Sequence, residues 1–533
     1  MRYLLSSFVS VGLLFAMLLL PLHMLLSFFE IPGIISIFLV LLLIFLFWWF
    51  SGTLYDYFFE WRYRADWISY RDLDERHSAF SIYLRETLHK HDLSLKKIYL
   101  VDDDRPIAIT YGPGKGGIRL LLSTGLFRYL DEKEQQAVIA HEIGHMHYGD
   151  FSILSAAYVP AFLLYEISHV LWRNEKKHNP LAFIGFLAYL GHMLLSIPVL
   201  LQSRIREYFA DEFASEISNP NSLGIALSKI SLAYISEGGK KKSINLMEVI
   251  RPFAILDYKM CRNLALAYLY KKQNGSWLMV EDIVIQDLYN PWPAFYEITT
   301  SHPLVGKRLV ALCVKAQMQQ LTPFLDVERM YASEITQSIS RLNFMEDFLV
   351  YAIARFSPLL IALMLLAGYF SHKLLTLGVI IVLYGLGILL LSLYSLSYRN
   401  FRNELVKNQL EDKYVSPIKG RPLTLEGVIR EKSSLGLDLP EEVIFADHSG
   451  DLFIGARSLS PLIFSPYLST SKLMKLKDQP VKVKGWFLRG RYPKLIIEEV
   501  ISKHERIKGR QRMFDIGLAC LTIAGGLIII IVA

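Results

Sequence analysis

Apolar residues along this chain fall into long uninterrupted runs rather than into an amphipathic rhythm. Leu4 to Phe29 and Ile34 to Phe50 are separated only by Glu30-Ile31-Pro32-Gly33. Further runs cover about Ile153 to Trp172, Leu181 to Leu201, Phe356 to Phe370, Leu374 to Leu396 and Met513 to Ala533. Runs of this kind are read as membrane-crossing helices, because about 20 apolar residues in a helix match the hydrocarbon thickness. The pattern predicts three transmembrane hairpins and a final single span. The first run is too long for a secretory leader and lacks the flanks and small-residue cleavage site of one. Arg62, Arg64, Arg71 and Arg76 follow the second run, and the short turn before it has no Lys or Arg. The positive-inside tendency then puts the N-terminus and the segment after Ser51 in the cytoplasm and the C-terminus outside. Arg173, Lys176 and Lys177, in the turn of the second hairpin, run against that tendency. Glu166, His169 and His192 lie in or near that hairpin, where ionisable groups are costly. Glu166 and His169 are read as lying close to the far headgroups, with a water-filled chamber marked by all three as the other reading.

Between the runs the pattern changes. Residues 51–150 read as soluble α/β, with strands at Lys97 to Val101 and Gly117 to Leu122. The glycine-rich Gly112-Pro113-Gly114-Lys115-Gly116 is read as a hairpin turn, since it lacks the Gly-Lys-Ser/Thr ending and following helix of a phosphate loop. An edge strand here offers backbone pairing to an extended peptide. Residues 212–345 read as mainly helical, with solvated Lys240-Lys241-Lys242 and a rigid, exposed turn at Asn290-Pro291-Trp292-Pro293. From about Lys413 to Ile507, short alternating stretches such as Val481 to Leu488 predict half-buried strands in a barrel or sandwich of OB or SH3 size. Its Trp486, Phe487, Arg489, Arg491 and Tyr492 suit a nucleic acid strand in composition, but beside a membrane a protein or headgroup partner is the expected one.

The expected division is a hairpin at 1–54, a soluble domain at 55–345 interrupted by a hairpin at about 152–202, and a third hairpin at 346–397. A soluble β domain at 398–512 and a span at 513–533 complete it. Composition changes this picture little. Mean hydropathy is +0.32 and net charge +7, with basic residues clustered beside the apolar runs, which fits membrane topology better than nucleic acid. Cys261, Cys313 and Cys520 are scattered and form neither a disulfide framework nor a thiolate zinc site.

The chemistry concentrates at Ala140-His141-Glu142-Ile143-Gly144-His145-Met146. Residues four apart share a helix face, so His141 and His145 can offer imidazoles to one metal ion, Zn²⁺ being the usual guest. Glu142 is placed to take a proton from water there. Asp131 with Glu134 predicts a capping box for this helix and Gly149 its end. Directly after the second hairpin, Glu207 and Asp211 are again four apart. Glu207 is the expected third ligand and Asp211 the expected acceptor for a ligand histidine's free N–H. If both runs of the hairpin span, the chain returns to its starting side and the three ligands can meet close to the membrane surface. His147 is on the wrong side of its helix to ligate. His178 and His372 carry no metal spacing.

With Arg206-Glu207-Tyr208-Phe209-Ala210-Asp211 and Ser301-His302-Pro303 followed by Arg308, the sequence resembles the HtpX-type membrane zinc metalloprotease family, related to the CaaX prenyl proteases. The likeness covers roughly residues 1–320. It implies one Zn²⁺ per chain on His141, His145 and Glu207, with Glu142 as general base. It also implies that His302 and Arg308 lie near the active site, His302 as an oxyanion donor, with Arg206 and Arg308 supporting the ligands.

The expected fold is a multi-pass α-helical membrane protein carrying a mainly helical (α+β) zincin-type domain and a small all-β domain. Its expected function is a zinc endopeptidase at the cytoplasmic face of the cell membrane, acting on membrane-associated protein or peptide in quality control or processing. The bilayer, and a protein bound through the β domain, are the other expected partners; nucleic acid is not. An intramembrane site-two type protease is disfavoured by the charged Asp131–Gln136 segment and by the lack of a Leu-Asp-Gly motif. The rival reading is a non-enzymatic scaffold or sensor with a structural metal.

Overall fold

A computed structural model describes residues 32–172, 182–236, 250–331, 341–366, 373–396, 400–433, 442–455 and 470–533, apart from 259, 299 and 413, with a few positions elsewhere. The Leu4–Phe29 run lies largely outside the described residues, and Lys240–Lys242, His178 and His372 lie entirely outside them. Among the described residues four helices are long and apolar enough to cross a membrane: Gly33–Tyr63, Asp150–Ser168, Leu374–Ser395 and Arg512–Val532. The chain divides into two compact units, 1–265 with 296–327, and 266–295 with 328–533.

In the first unit, helix α1 (Gly33–Tyr63) continues unbroken past the apolar run into a polar segment docked on a sheet. The sheet holds β1 (Asp66–Ile68), β2 (Lys97–Val101), β3 (Ala108–Tyr111) and β4 (Arg119–Ser123) in the order β1-β2-β4-β3. Strands β2 and β4 run parallel and β3 pairs antiparallel with β4 at the edge. The glycine-rich turn therefore joins β3 to β4, and sequence reading missed β3, a four-residue strand buried at every position. Gly112 takes φ +134°, where a Cβ would sit 2.3 Å from the Gly117 carbonyl oxygen.

Asp56 of α1 is the buried anchor of this docking. It accepts from Arg119 Nε at 2.9 and 3.0 Å and from the Tyr111 hydroxyl at 3.0 Å, while Lys97 Nζ lies 3.2 Å away. Buried charge is tolerable only when paired and hydrogen-bonded in this way. Gly52 leaves room for that guanidinium, since a Cβ there would lie 2.2 Å from it.

Helix α2 (Glu132–Tyr148) starts on a capping box, Asp131 Oδ1 accepting from Glu134 N at 3.0 Å and Glu134 Oε2 accepting from Asp131 N at 2.9 Å. Gly149, in the left-handed region at φ +69°, ends it. Helix α3 (Asp150–Trp172) begins at once. Trp48 Nε1 donates to Ser152 Oγ at 2.8 Å, so the first turn of α3 is level with the end of the apolar run of α1. Helix α4 (Ala182–Ile217) carries the next apolar stretch and runs on without a break through Glu207 and Asp211. His192 Nδ1 sits 2.9 Å from the Ala161 carbonyl oxygen across this hairpin, ringed by Tyr158, Tyr165 and Tyr189. Glu166 is partly buried, and the His169 side chain is not among those described.

The first unit also holds helix α5 (Val305–Met318), and the second contains helices α6 (Arg341–Leu366), α7 (Lys373–Ser395) and α8 (Gln511–Val532). Helices α7 and α8 meet at Gly378, Gly385 and Gly526, where any Cβ would lie within 3 Å of the other helix. A barrel closes through β6 (Arg421–Ser433), β7 (Glu442–Ala446), β8 (Asp451–Gly455), β10 (Pro493–Ser502) and β9 (Pro480–Arg489), returning to β6. Only β8 with β10 is parallel in that ring. Short β5 (Arg402–Asn403) and β11 (Arg506–Lys508) extend it at β6 and β10.

Two expectations are corrected in this unit. Asn290 to Pro293 is not an exposed turn: it starts the helix Pro291–Glu297, with Asn290 Oδ1 accepting from Trp292 N at 3.0 Å. Trp292 is fully buried against Phe344, Phe348 and Tyr351. Likewise Trp486, Phe487, Arg489 and Tyr492 are buried. Trp486 packs with Leu488 and Ile496 against Leu396, just past the end of α7, so it is covered and offers no stacking platform.

Candidate metal centre

Three elements of the first unit converge on the centre. Helix α2 presents His141 and His145 one turn apart, and α4 crosses it at Gly144, where a Cβ would be 3.1 Å from Ala210 Cα. That close crossing brings Glu207 to both histidines. Glu207 Oε2 lies 3.4 Å from His141 Nε2, and Oε1 lies 3.5 Å from His145 Nε2. All three ligand atoms fall within 4.8 Å of one another, and all three side chains are buried.

Around them is a shell of oriented acids and bases. His141 Nδ1 is 3.0 Å from Asp211 Oδ1, and His145 Nδ1 is 3.1 Å from Asp150 Oδ2. Asp211 is in turn held by the Arg308 fork, Nε and Nη2 each donating at 2.7 Å. Arg308 is carried by helix α5 (Val305–Met318) and also donates to the Ile255 carbonyl. Its Nη1 stands 3.4 Å from Glu207 Oε2. Arg206 Nη2 lies 3.4 Å from Glu207 Oε1, and its Nε lies 3.7 Å from Asp150.

Glu142 Oε2 accepts from the Thr110 hydroxyl at 2.9 Å, which ties it to edge strand β3. Its Oε1 has no partner. His302 Nε2 points at Glu207 Oε2 from 3.7 Å, and its Nδ1 is 2.7 Å from Ser301 Oγ. His147 turns away onto Phe213 and His91.

The electrostatics follow from burial and neighbours. Burial pushes the Glu142 carboxyl up, against the two histidines beside it. Burial also opposes ionisation of Glu207, but His302, His141 and His145 hold it well below the usual carboxylate range. Burial opposes the charged form of His145 too, yet the Asp150 and Glu207 carboxylates outweigh it and raise the imidazole to about 9. His302 is lowered to about 4, chiefly by burial.

Among the described residues, His141 Nε2, Glu207 Oε2, Glu142 Oε1 and His302 Nε2 are four of the buried atoms without hydrogen-bond partners. An unmet buried polar atom costs about 1–3 kcal/mol, and here four are gathered at one point. Two imidazoles and a carboxylate around a common centre are a donor set suited to Zn²⁺, and a cation there satisfies the ligand atoms. Thr110 and Asp150 escaped sequence reading. Asp150 has a local signal, an acid in the first turn after the Gly149 cap. Thr110 has none.

A buried two-histidine, one-glutamate centre with an adjacent free carboxylate, in a chain with membrane helices, defines the class of membrane metalloproteases. The comparisons agree. Residues 79–315 match Peptidase family M48, and several Protease HtpX homologs are similar to the chain. The Protease HtpX homolog of Aeropyrum pernix is 25% identical over 247 residues, 42% of this chain and 71% of that protein. That of Archaeoglobus fulgidus is 35% identical over 133 residues, 24% of this chain and 40% of that protein. That of Polynucleobacter necessarius is 29% identical over 168 residues, 30% and 58% of the two. The crystal structure of S. mikatae Ste24p aligns at 17% identity and a TM-score of 0.28, over 58% of this chain and 64% of that one. The chain thus spans only part of the length of some of these relatives, and the family match ends at residue 315, before the β barrel.

Proposed function

We propose that the chain is a zinc-dependent endopeptidase working at the cytoplasmic face of the cell membrane on membrane-associated protein, in quality control or processing. The observation that carries this is the unpartnered, buried Glu142 Oε1 beside three convergent ligand atoms. A purely structural metal needs no such base, so the scaffold reading gains nothing from the site.

His141, His145 and Glu207 are the ligands in this reading, with Asp211 and Asp150 fixing the tautomer of each histidine through Nδ1. Bound there, Zn²⁺ supplies Lewis acidity at the cleft. Thr110 holds one oxygen of Glu142, leaving the other to take a proton from water and return it to the leaving amine. His302 Nε2 is the donor for negative charge developing on the scissile carbonyl oxygen. Arg308 and Arg206 offset the charge of the carboxylates that surround the ligands.

The membrane-surface placement is supported by Trp48 and Ser152 standing level, with Asp150, two residues before Ser152, 3.1 Å from His145 Nδ1. The cytoplasmic side is supported by Arg62, Arg64, Arg71 and Arg76. The proposed domain division is the hairpins, the protease domain, the barrel and the last span. The closed order β6-β7-β8-β10-β9, with one parallel pair, supports an OB-type assignment for the barrel. Strands β7 and β8 are buried along their whole length, which favours a structural or protein-facing role over nucleic acid.

The test is metal dependence in proteoliposomes. A chelator should stop cleavage of an unfolded membrane protein and one equivalent of zinc should restore it; cleavage that survives complete zinc removal overturns the reading.

A further inference from the structure

We infer that Ser301 and Asp257 are positioning residues that set which nitrogen of His302 carries its proton. The inference rests on the proposed role of His302 as a donor in the cleft. The Ser301 hydroxyl has one hydrogen and three acceptors within reach: the Arg251 carbonyl at 3.2 Å, Asp257 Oδ2 at 3.3 Å and His302 Nδ1 at 2.7 Å. Asp257 Oδ2 is already engaged. Arg251 forks onto it at 3.0 and 2.7 Å, and Ser301 N–H donates to it at 3.3 Å. With that carboxylate neutralised, the hydroxyl proton goes to the shortest contact, Nδ1 of His302.

Nδ1 is then an acceptor, and the imidazole proton is on Nε2. This is the nitrogen that has no partner and faces Glu207 Oε2 from 3.7 Å. The opposite tautomer would set a lone pair against a carboxylate. The backbone is fixed as well, because the Thr300 hydroxyl donates to the His302 carbonyl at 2.7 Å and Leu304 N donates to Glu297 at 3.0 Å. Asp257, Ser301 and His302 are all almost fully buried, so water does not compete for these bonds. Asp257 acts twice removed from the cleft: it holds the Ser301 backbone while Arg251 keeps it from claiming the hydroxyl.

The test uses the full chain in proteoliposomes with Ser301→Ala, Ser301→Thr and Asp257→Asn. Imidazole ¹⁵N spectra of histidine-labelled protein, with the His302 signal assigned by its loss in His302→Gln, read the tautomer without reference to activity. The wild type should show His302 protonated on Nε2, Ser301→Thr should keep that state, and Ser301→Ala should show both tautomers. For cleavage, Ser301→Ala should lower kcat about tenfold with KM within about twofold, the value of one hydrogen bond acting in the transition state. Ser301→Thr should restore kcat to within about threefold of wild type, and Asp257→Asn should fall between. Zinc content should not change.

A wild-type His302 protonated on Nδ1, or Ser301→Ala with unaltered tautomer and kcat, overturns the inference while leaving the protease reading intact. A wild type that binds no zinc or cleaves nothing overturns that reading instead, and the spectra still decide this one. If Ser301→Ala does not fold, the spectra and kcat of Asp257→Asn decide.

Discussion

Gly144→Ala isolates the contact that sets the metal-ligand spacing. A Cβ at Gly144 lies 3.1 Å from Ala210 Cα, 3.2 Å from the Ala210 carbonyl oxygen and 3.3 Å from Phe213 Cβ. Carbon atoms pack at about 3.5–4.0 Å, and the nearest neighbours are backbone, so α2 and α4 must part by about 0.5 Å. His141 and His145 ride on one of these helices and Glu207 on the other. Metal–ligand distances tolerate about 0.2 Å, so the third ligand is strained out of reach. Stability responds differently, because alanine gains about 1 kcal/mol of helix propensity over glycine while overpacking costs about 1–3 kcal/mol. The net loss is about 0–2 kcal/mol for the metal-free fold, too little to unfold it. Zinc affinity should drop at least about tenfold, equivalent to about 1.4 kcal/mol, and Gly144→Val should lose zinc altogether. Competition against a chromophoric chelator reads the affinity, and thermal melts of metal-free protein in detergent read the fold. Gly144→Ala that keeps wild-type zinc affinity within about twofold refutes the claim that this crossing positions Glu207.

Three further outcomes follow from the same geometry. Thr110→Val removes the hydrogen bond that holds Glu142 and should cut kcat about tenfold while zinc content stays at one per chain. In metal-free protein His145 sits at about 9, so zinc uptake at neutral pH must expel its proton. Apparent zinc affinity should therefore climb with pH until about pH 9 and then level off, and calorimetry in buffers of different ionisation enthalpy should show the proton release. Trp486→Ala empties the buried cluster it forms with Leu396, Leu488 and Ile496 and should cost about 3–5 kcal/mol, read as loss of protease resistance in residues 421–502.

What was legible in the sequence was local or periodic. The Asp131–Glu134 capping box and the Gly149 stop were readable because each depends on residues within one turn. Of the apolar runs, the four that fall in helices long enough to cross a membrane were readable because bilayer thickness sets their length. Strand β3 was not, since four buried residues carry no alternation that distinguishes strand from helix. The aromatic and basic string at Trp486–Tyr492 resembled a binding surface because buried packing uses the same residue types as a stacking platform; only burial separates the two. Asn290–Pro293 misled in the same way, its turn chemistry starting a helix whose tryptophan goes inward. The bond from Asp257 to Ser301 joins positions 44 residues apart and leaves no trace in local pattern. The pairing of Glu207 with the histidines depends on a helix crossing at Gly144 that a motif alone does not display.

Glu142→Gln tests the central claim most directly. The amide keeps the size of the side chain and its bond to Thr110 but cannot take a proton. Wild type and variant should each hold one zinc in proteoliposomes, and only wild type should cleave an unfolded membrane protein. A variant that cleaves as fast as wild type, or a wild type that holds no metal, contradicts the account.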